Sequence, residues 1–182
     1  GKIYLTIASF SGDDIDMPSC VDMSLKLAVQ TLTDVGLRIG NISFVQGNIS
    51  NIVVAQQKNG KQIRQNTKVK RGEVIDLVVE MTESQTTTNM PDILGKTEEE
   101  AEKMLWAAGL NVGKKEFEGK KEKYHSRVVS YQPTFQGLTL GTTVSLYFVN
   151  DTKNNYKKLK RDFEEQLILE QSQFEEWEEV ID

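Results

Sequence analysis

The chain has 182 residues, 38% hydrophobic and 27% charged, an ordinary balance for a folded chain of one or two domains. Its net charge of −5 lies in the tail: residues 1–155 hold 18 Lys/Arg and 18 Asp/Glu, residues 156–182 hold 4 and 9. A neutral body with an acidic tail argues against a nucleic-acid partner, no apolar run approaches the roughly 20 residues of a membrane helix, and a single cysteine, Cys20, excludes an internal disulfide.

In chain order, Ile3-Tyr4-Leu5-Thr6-Ile7 alternates as a strand does, and Leu5 falls in register with Leu77 and Leu146 further on. Residues 1–11 therefore read as the last strand of a truncated preceding repeat. Residues 17–40 follow, and they align without a gap to residues 90–113 at an offset of 73. Met17/Met90, Pro18/Pro91, Ala28/Ala101, Leu32/Leu105, Gly36/Gly109, Leu37/Leu110 and Gly40/Gly113 are identical pairs. A fixed period of this size indicates an array of small modules, here 15–81 and 88–150, and turns attention from one large cleft to the module itself. Cys20 matches Ile93 in the second copy, which makes it a small buried hydrophobe and not a reactive thiol.

Each module opens on Met-Pro, which enforces an extended entry. Ser24 can cap a helix in the first copy, and Thr97 with Glu100 forms a capping box in the second. Ala28, Leu32 and Val35, like Ala101, Leu105 and Ala108, recur at helical spacing and predict a buried stripe that ends at Gly36 and Gly109. Three strands follow, near Ile42–Val45, Ile52–Gln57 and Val74–Val79 in one copy, and near Val112–Phe117, Arg127–Tyr131 and Val144–Val149 in the other. The fold class is α+β, in tandem modules of one helix packed on a three-stranded sheet. Gln57 to Val69 is longer than Gln132 to Leu138, so the first copy carries the longer turn, around Asn59-Gly60-Lys61. Residues 82–89 (TESQTTTN) are polar, without apolar periodicity, and read as a linker.

Residues 151–182 form a separate helical tail. Tyr156, Leu159, Phe163, Leu167, Phe174, Trp177 and Ile181 recur at spacings of three, four or seven, with bases early and acids late. That is an amphipathic helix whose charge order opposes the helix dipole, so it needs packing to be stable. The stripe fits docking on the second module. It also fits a protein partner or self-association, with Phe174 and Trp177 as anchors.

The order Met-Pro-x-hydrophobic, capped helix, Ala-Gly-Leu-x-Val-Gly, strand, Val-x-x-Gln-x-Pro-x-x-Gly and terminal Val-x-Leu resembles the PASTA domain, named for penicillin-binding proteins and serine/threonine kinases. The second copy matches more closely, through Met90–Gly95, Ala108-Gly109-Leu110, Val128–Pro133, Gly137 and Gly141–Leu146. The first copy has Ser19-Cys20-Val21-Asp22 where the family favours Asp-Leu-Val-Gly, and Gln57-Lys58 in place of the proline turn. The resemblance covers all but the linker and residues 151–182. It implies a non-catalytic, extracytoplasmic region of a bacterial cell-envelope protein, tethered by a membrane helix upstream, that binds peptidoglycan or muropeptides. The alternative is a structural spacer that positions the tail helix. No binding residue is carried over from the family.

The residues themselves point to no enzyme and no cofactor. His125 is the only histidine and reads as an exposed polar residue; with Cys20 it cannot supply a zinc ligand set. Glu98-Glu99-Glu100 and Glu175-Glu176 read as a helix first turn and a solvated helix face. The basic cluster Lys114, Lys115, Lys120, Lys121 and Lys123 is diluted by Glu116, Glu118 and Glu122 and reads as a solvated hairpin tip.

Overall fold

The computed structural model describes residues 13–181, so the strand expected within residues 1–11 lies outside the described residues. The chain divides after Thr86 into two compact units.

In the first unit, β1 (Asp14–Asp16) leads through Met17-Pro18 to helix α1 (Leu25–Asp34). Ser24 caps α1 with its hydroxyl, accepting from the Leu27 amide at 3.2 Å. The strands β2 (Arg38–Gln46), β3 (Ile52–Lys58), β4 (Lys61–Gln62), β5 (Lys68–Lys70) and β6 (Val74–Met81) follow. The sheet order is β2-β6-β3-β4, with β2 parallel to β6 and the other pairs antiparallel. Leu25, Ala28, Val29 and Leu32 of α1 are buried, as are Ile39, Ile42, Val53, Ile75, Leu77 and Val79 of the sheet. Burying each of the valine, leucine and isoleucine side chains among them contributes about 1.5–3 kcal/mol.

The longer turn expected at Asn59-Gly60-Lys61 is a two-residue hairpin. Asn59 (φ +53°) and Gly60 (φ +79°) both take the left-handed backbone, as a type I′ turn requires. It returns the chain as β4, a fourth strand beyond the three expected, and then as Ile63. The Ile63 amide bonds the Gln56 carbonyl at 3.1 Å, so this segment covers the outer edge of β3.

The second unit repeats the plan with β7 (Thr87–Thr88), helix α2 (Glu98–Ala107), β8 (Asn111–Phe117), β9 (Ser126–Gln132), β10 (Leu138–Thr139) and β11 (Thr143–Asn150). Its sheet is β8-β11-β9, β8 parallel and β9 antiparallel to β11, while β7 pairs with β10 as β1 does with β5. The capping box at Thr97 and Glu100 is complete. The core gathers Ile93, Ala101, Leu105, Leu110, Val128, Leu138, Val144, Leu146 and Phe148. Phe117 stacks on Phe148 with ring centroids 4.4 Å apart.

The repeats match at the level of single hydrogen bonds. Leu37 donates to Leu32 O and Leu110 to Leu105 O, each at 2.9 Å, closing Schellman-type caps around Gly36 (φ +94°) and Gly109 (φ +81°). The Gly72 amide bonds Gly36 O at 2.7 Å, and the Gly141 amide bonds Gly109 O at 2.8 Å.

Helix α3 (Tyr156–Ile181) belongs to the second unit and packs against β9. Phe163 is buried, and Tyr156, Leu159 and Leu167 are partly buried. Residues 171–180 are all exposed, among them Phe174 (56%) and Trp177 (67%). The stripe read from the sequence is thus covered over its first half and open over its second. No described helix is long and apolar enough to cross a membrane.

Candidate binding groove

Alternation along β11 turns Val144, Leu146 and Phe148 to the core and Ser145 and Tyr147 to the opposite, open face. Cross-strand partners bring Ser130 beside Tyr147 and Gln132 beside Ser145. On the other side of β11, Glu116 lies opposite Tyr147. Helix α3 borders this surface from the β9 edge, where Phe163 meets Tyr131 edge-to-face at 4.8 Å and 74°. Between sheet and helix lies a groove of about 410 Å³, within the usual range of small-ligand sites.

The groove is lined by polar groups with aromatic surface among them. Gln132 and Gln166 offer primary amides, Ser130 and Ser145 offer hydroxyls, and Lys114 pairs with Glu116 at 2.7 Å. Burial, joined by the carboxylates of Asp92 and Glu170, raises the Tyr131 phenol above its ordinary value. Burial also raises that of Tyr147, together with Glu118, which Tyr147 approaches at 3.5 Å. Both phenols therefore remain protonated hydrogen-bond donors well above neutral pH. The groove suits recognition of a polar ligand with apolar ring faces, by hydrogen bonds and stacking.

In the first unit the residues at the matching positions are engaged otherwise. The Ser145 position is Asp76, and the Val149 position is Glu80. Asp76 accepts from the Asn41 amide at 2.7 Å, and Glu80 accepts from Asn48 at 2.8 Å and Ile49 at 2.6 Å. These carboxylates are engaged in holding β2 and its following turn. The Tyr131 position is Gln56, which is buried. Its Oε1 accepts from the Cys20 amide at 2.8 Å, and its Nε2 donates to Pro18 O at 3.1 Å and Ile63 O at 2.9 Å.

The other residues weighed from the sequence lie away from this groove. Cys20 is fully buried, and burial pushes its thiol up to about 11, which suppresses the nucleophilic thiolate. His125 is exposed and its Nδ1 meets Asp151 Oδ1 at 2.9 Å. Arg127 donates to the same carboxylate at 3.0 Å and to Gly95 O at 2.8 Å. The His125 hydrogen bond, helped by Arg127 and opposed by desolvation, holds Asp151 below its ordinary range. The cluster fastens the segment leading into α3 to the start of β9.

The lysine cluster is mostly engaged. Lys115 bridges Glu98 (2.7 Å) and Glu102 (3.2 Å), and Lys121 reaches Glu98 at 2.6 Å. Burial raises Glu98, but the two lysines outweigh it and lower its pKa. Glu98-Glu99-Glu100 opens α2 as read, and Glu175-Glu176 lies on an exposed face of α3. Among the described residues no three His, Cys, Asp or Glu side chains gather in a metal-binding group. Sequence reasoning missed the groove residues. The signal was present in the alternation Ser145-Leu146-Tyr147, but assigning its open face requires knowing where α3 lies.

No protein-family model matches the sequence, and no curated relative matches it. Several solved structures are similar. The three-PASTA-domain region of a Ser/Thr kinase from Staphylococcus aureus is 20% identical, with 75% of this chain and 66% of that chain covered and a TM-score of 0.33. The entire extracellular region of the Ser/Thr kinase PrkC from Staphylococcus aureus is 21% identical, with 78% and 49% covered and a TM-score of 0.32. Penicillin-binding protein 2X from Streptococcus thermophilus is 14% identical, with 75% and 17% covered and a TM-score of 0.29. The chain thus spans less than two thirds of the length of each.

Proposed function

We propose that this chain is a non-catalytic, PASTA-like region of the bacterial cell envelope, tethered on the extracytoplasmic side, and that its second unit binds peptidoglycan fragments. The groove beside α3 carries this reading. Its amides and hydroxyls match the N-acetyl and peptide groups of a muropeptide, and its phenol rings match the apolar face of a sugar. Further support comes from the family-like order of motifs in both repeats. The chemistry of the chain supports binding without turnover: its histidine is committed to Asp151 and its thiol is buried.

Co-sedimentation with purified sacculi, followed by titration with soluble muropeptides, tests the proposal on the whole chain. Tyr147→Ala combined with Gln132→Ala removes a ring platform and an amide. That pair should weaken binding about tenfold, since a lost hydrogen bond is worth about 0.5–1.5 kcal/mol before the stacking is counted. Tyr124→Ala, on the exposed loop before β9, should change nothing. Binding that survives the double substitution removes the groove from the reading. No binding by the parent chain at all favours the spacer role.

A further inference from the structure

Helix α3 has two faces, and the docked stripe uses only one. With 26 residues, its centre falls between Ile168 and Leu169. Those two side chains are 65% and 63% exposed and project away from Phe163, at 100° per residue. On the same outward side, Lys157, Lys158 and Arg161 precede the centre and Glu175, Glu176 and Glu179 follow it, all exposed. Glu165 is exposed on the same side before the centre, and Lys158 pairs along the helix with Asp162 at 2.8 Å, so the outward surface is basic in excess, then apolar at the midpoint, then acidic.

We propose that α3 pairs with α3 of a second copy of this chain, antiparallel, about a two-fold axis at Ile168 and Leu169. In that register Arg161 faces Glu176 of the partner subunit, and Lys158 faces Glu179 of the partner subunit. The axis generates each pair twice. A parallel arrangement sets base against base and acid against acid. The antiparallel pair also addresses the helix's own defect, because its first turn has no acid and its last turn no base. Pairing lays each acidic end beside the positive, N-terminal end of the other helix. The pattern is self-complementary, as a two-fold interface demands. An interface centred on two apolar residues per chain lies at the small end of the size range, so the dimer is concentration-dependent and weakened by salt.

Sedimentation velocity on the whole chain, over a concentration series at low and high salt, should show a reversible monomer–dimer equilibrium. Ile168→Asp with Leu169→Asp should raise the dissociation constant at least tenfold while circular dichroism and Tm stay at parent values, since both sites are exposed. Arg161→Glu alone should weaken the dimer, and Arg161→Glu with Glu176→Arg should restore it. Mixing Glu165→Cys chains with Ser172→Cys chains should give a disulfide-linked heterodimer faster than either chain alone forms a homodimer; Cys20 is buried and does not compete. A chain that is monomeric at all concentrations overturns the proposal. So does a dimer that withstands the Ile168/Leu169 and Arg161 substitutions, or one that Phe174→Ala with Trp177→Ala dissociates instead.

Discussion

Asp22 and Gly95 occupy the same place in the two repeats and both adopt the left-handed backbone, at φ +74° and +79°. The amide of each donates to the strand opposite at 2.8 Å, Asp22 to Val53 O and Gly95 to Val128 O. A side chain there carries a conformational cost that glycine avoids. Asp22→Gly should therefore stabilise the first unit by up to about 1 kcal/mol, visible as a higher midpoint in urea. Glycine has a second reason to stand at 95, because a Cβ there would lie 3.2 Å from Lys160 Cε and 3.5 Å from the Tyr156 hydroxyl. Among the described residues the first unit has no helix at this position, and aspartate is accommodated. Gly109 is strained for any other residue by its φ of +81°. Gly109→Val should cost more than the roughly 1 kcal/mol of a typical substitution, and an unchanged Tm would refute the cap described above.

At the scale of elements, the half-docked tail follows from two rises. The seven residues of β9 extend about 23 Å at roughly 3.3 Å each, and a helix covers that in about 15 residues at 1.5 Å each. Counted from Tyr156, that reaches Glu170, the last partly buried residue of α3. Removing residues 171–182 should leave the Tm of the second unit nearly unchanged. Removing residues 151–182 should lower it, because Tyr131 and the β9 edge are then uncovered. Asp151 makes the anchor sensitive to acid. Its folded-state pKa is depressed, so its contribution is present above the unfolded value near 4 and is lost as pH falls through the lower folded value. The Tm gap between the parent chain and Asp151→Asn should be full above about pH 5 and close below about pH 4, as calorimetry across pH would show. Helix caps, strand positions and the tail's periodicity were legible in the sequence because each is a local pattern. The ladders β1–β5 and β7–β10, three and two residue pairs long, are too short to have a period. The end of docking at Glu170 is set by the length of a different strand, so the periodic stripe running on through Phe174 and Trp177 gave no sign of it.

For the whole molecule, the exposed run Glu83-Ser84-Gln85 lies just before the division at Thr86. Brief digestion with a glutamate-specific protease should cut first at Glu83 and leave two fragments that each retain native circular dichroism. Scattered early cuts within α1 or α2 would argue against two separable units. The sheet order has a further consequence for how the chain is made. In each unit the middle strand, β6 or β11, is the last of its sheet's long strands in sequence, and the two strands it joins, β2 with β3 or β8 with β9, do not pair with each other. A chain emerging from a ribosome or a translocation pore, amino end first, holds those two strands with no ladder between them until the third appears. Each unit then closes in a single late event governed by contacts distant in sequence. A nascent chain halted before residue 74 contains the helix and most of the apolar side chains of its first unit, yet it lacks the strand that makes a sheet of them.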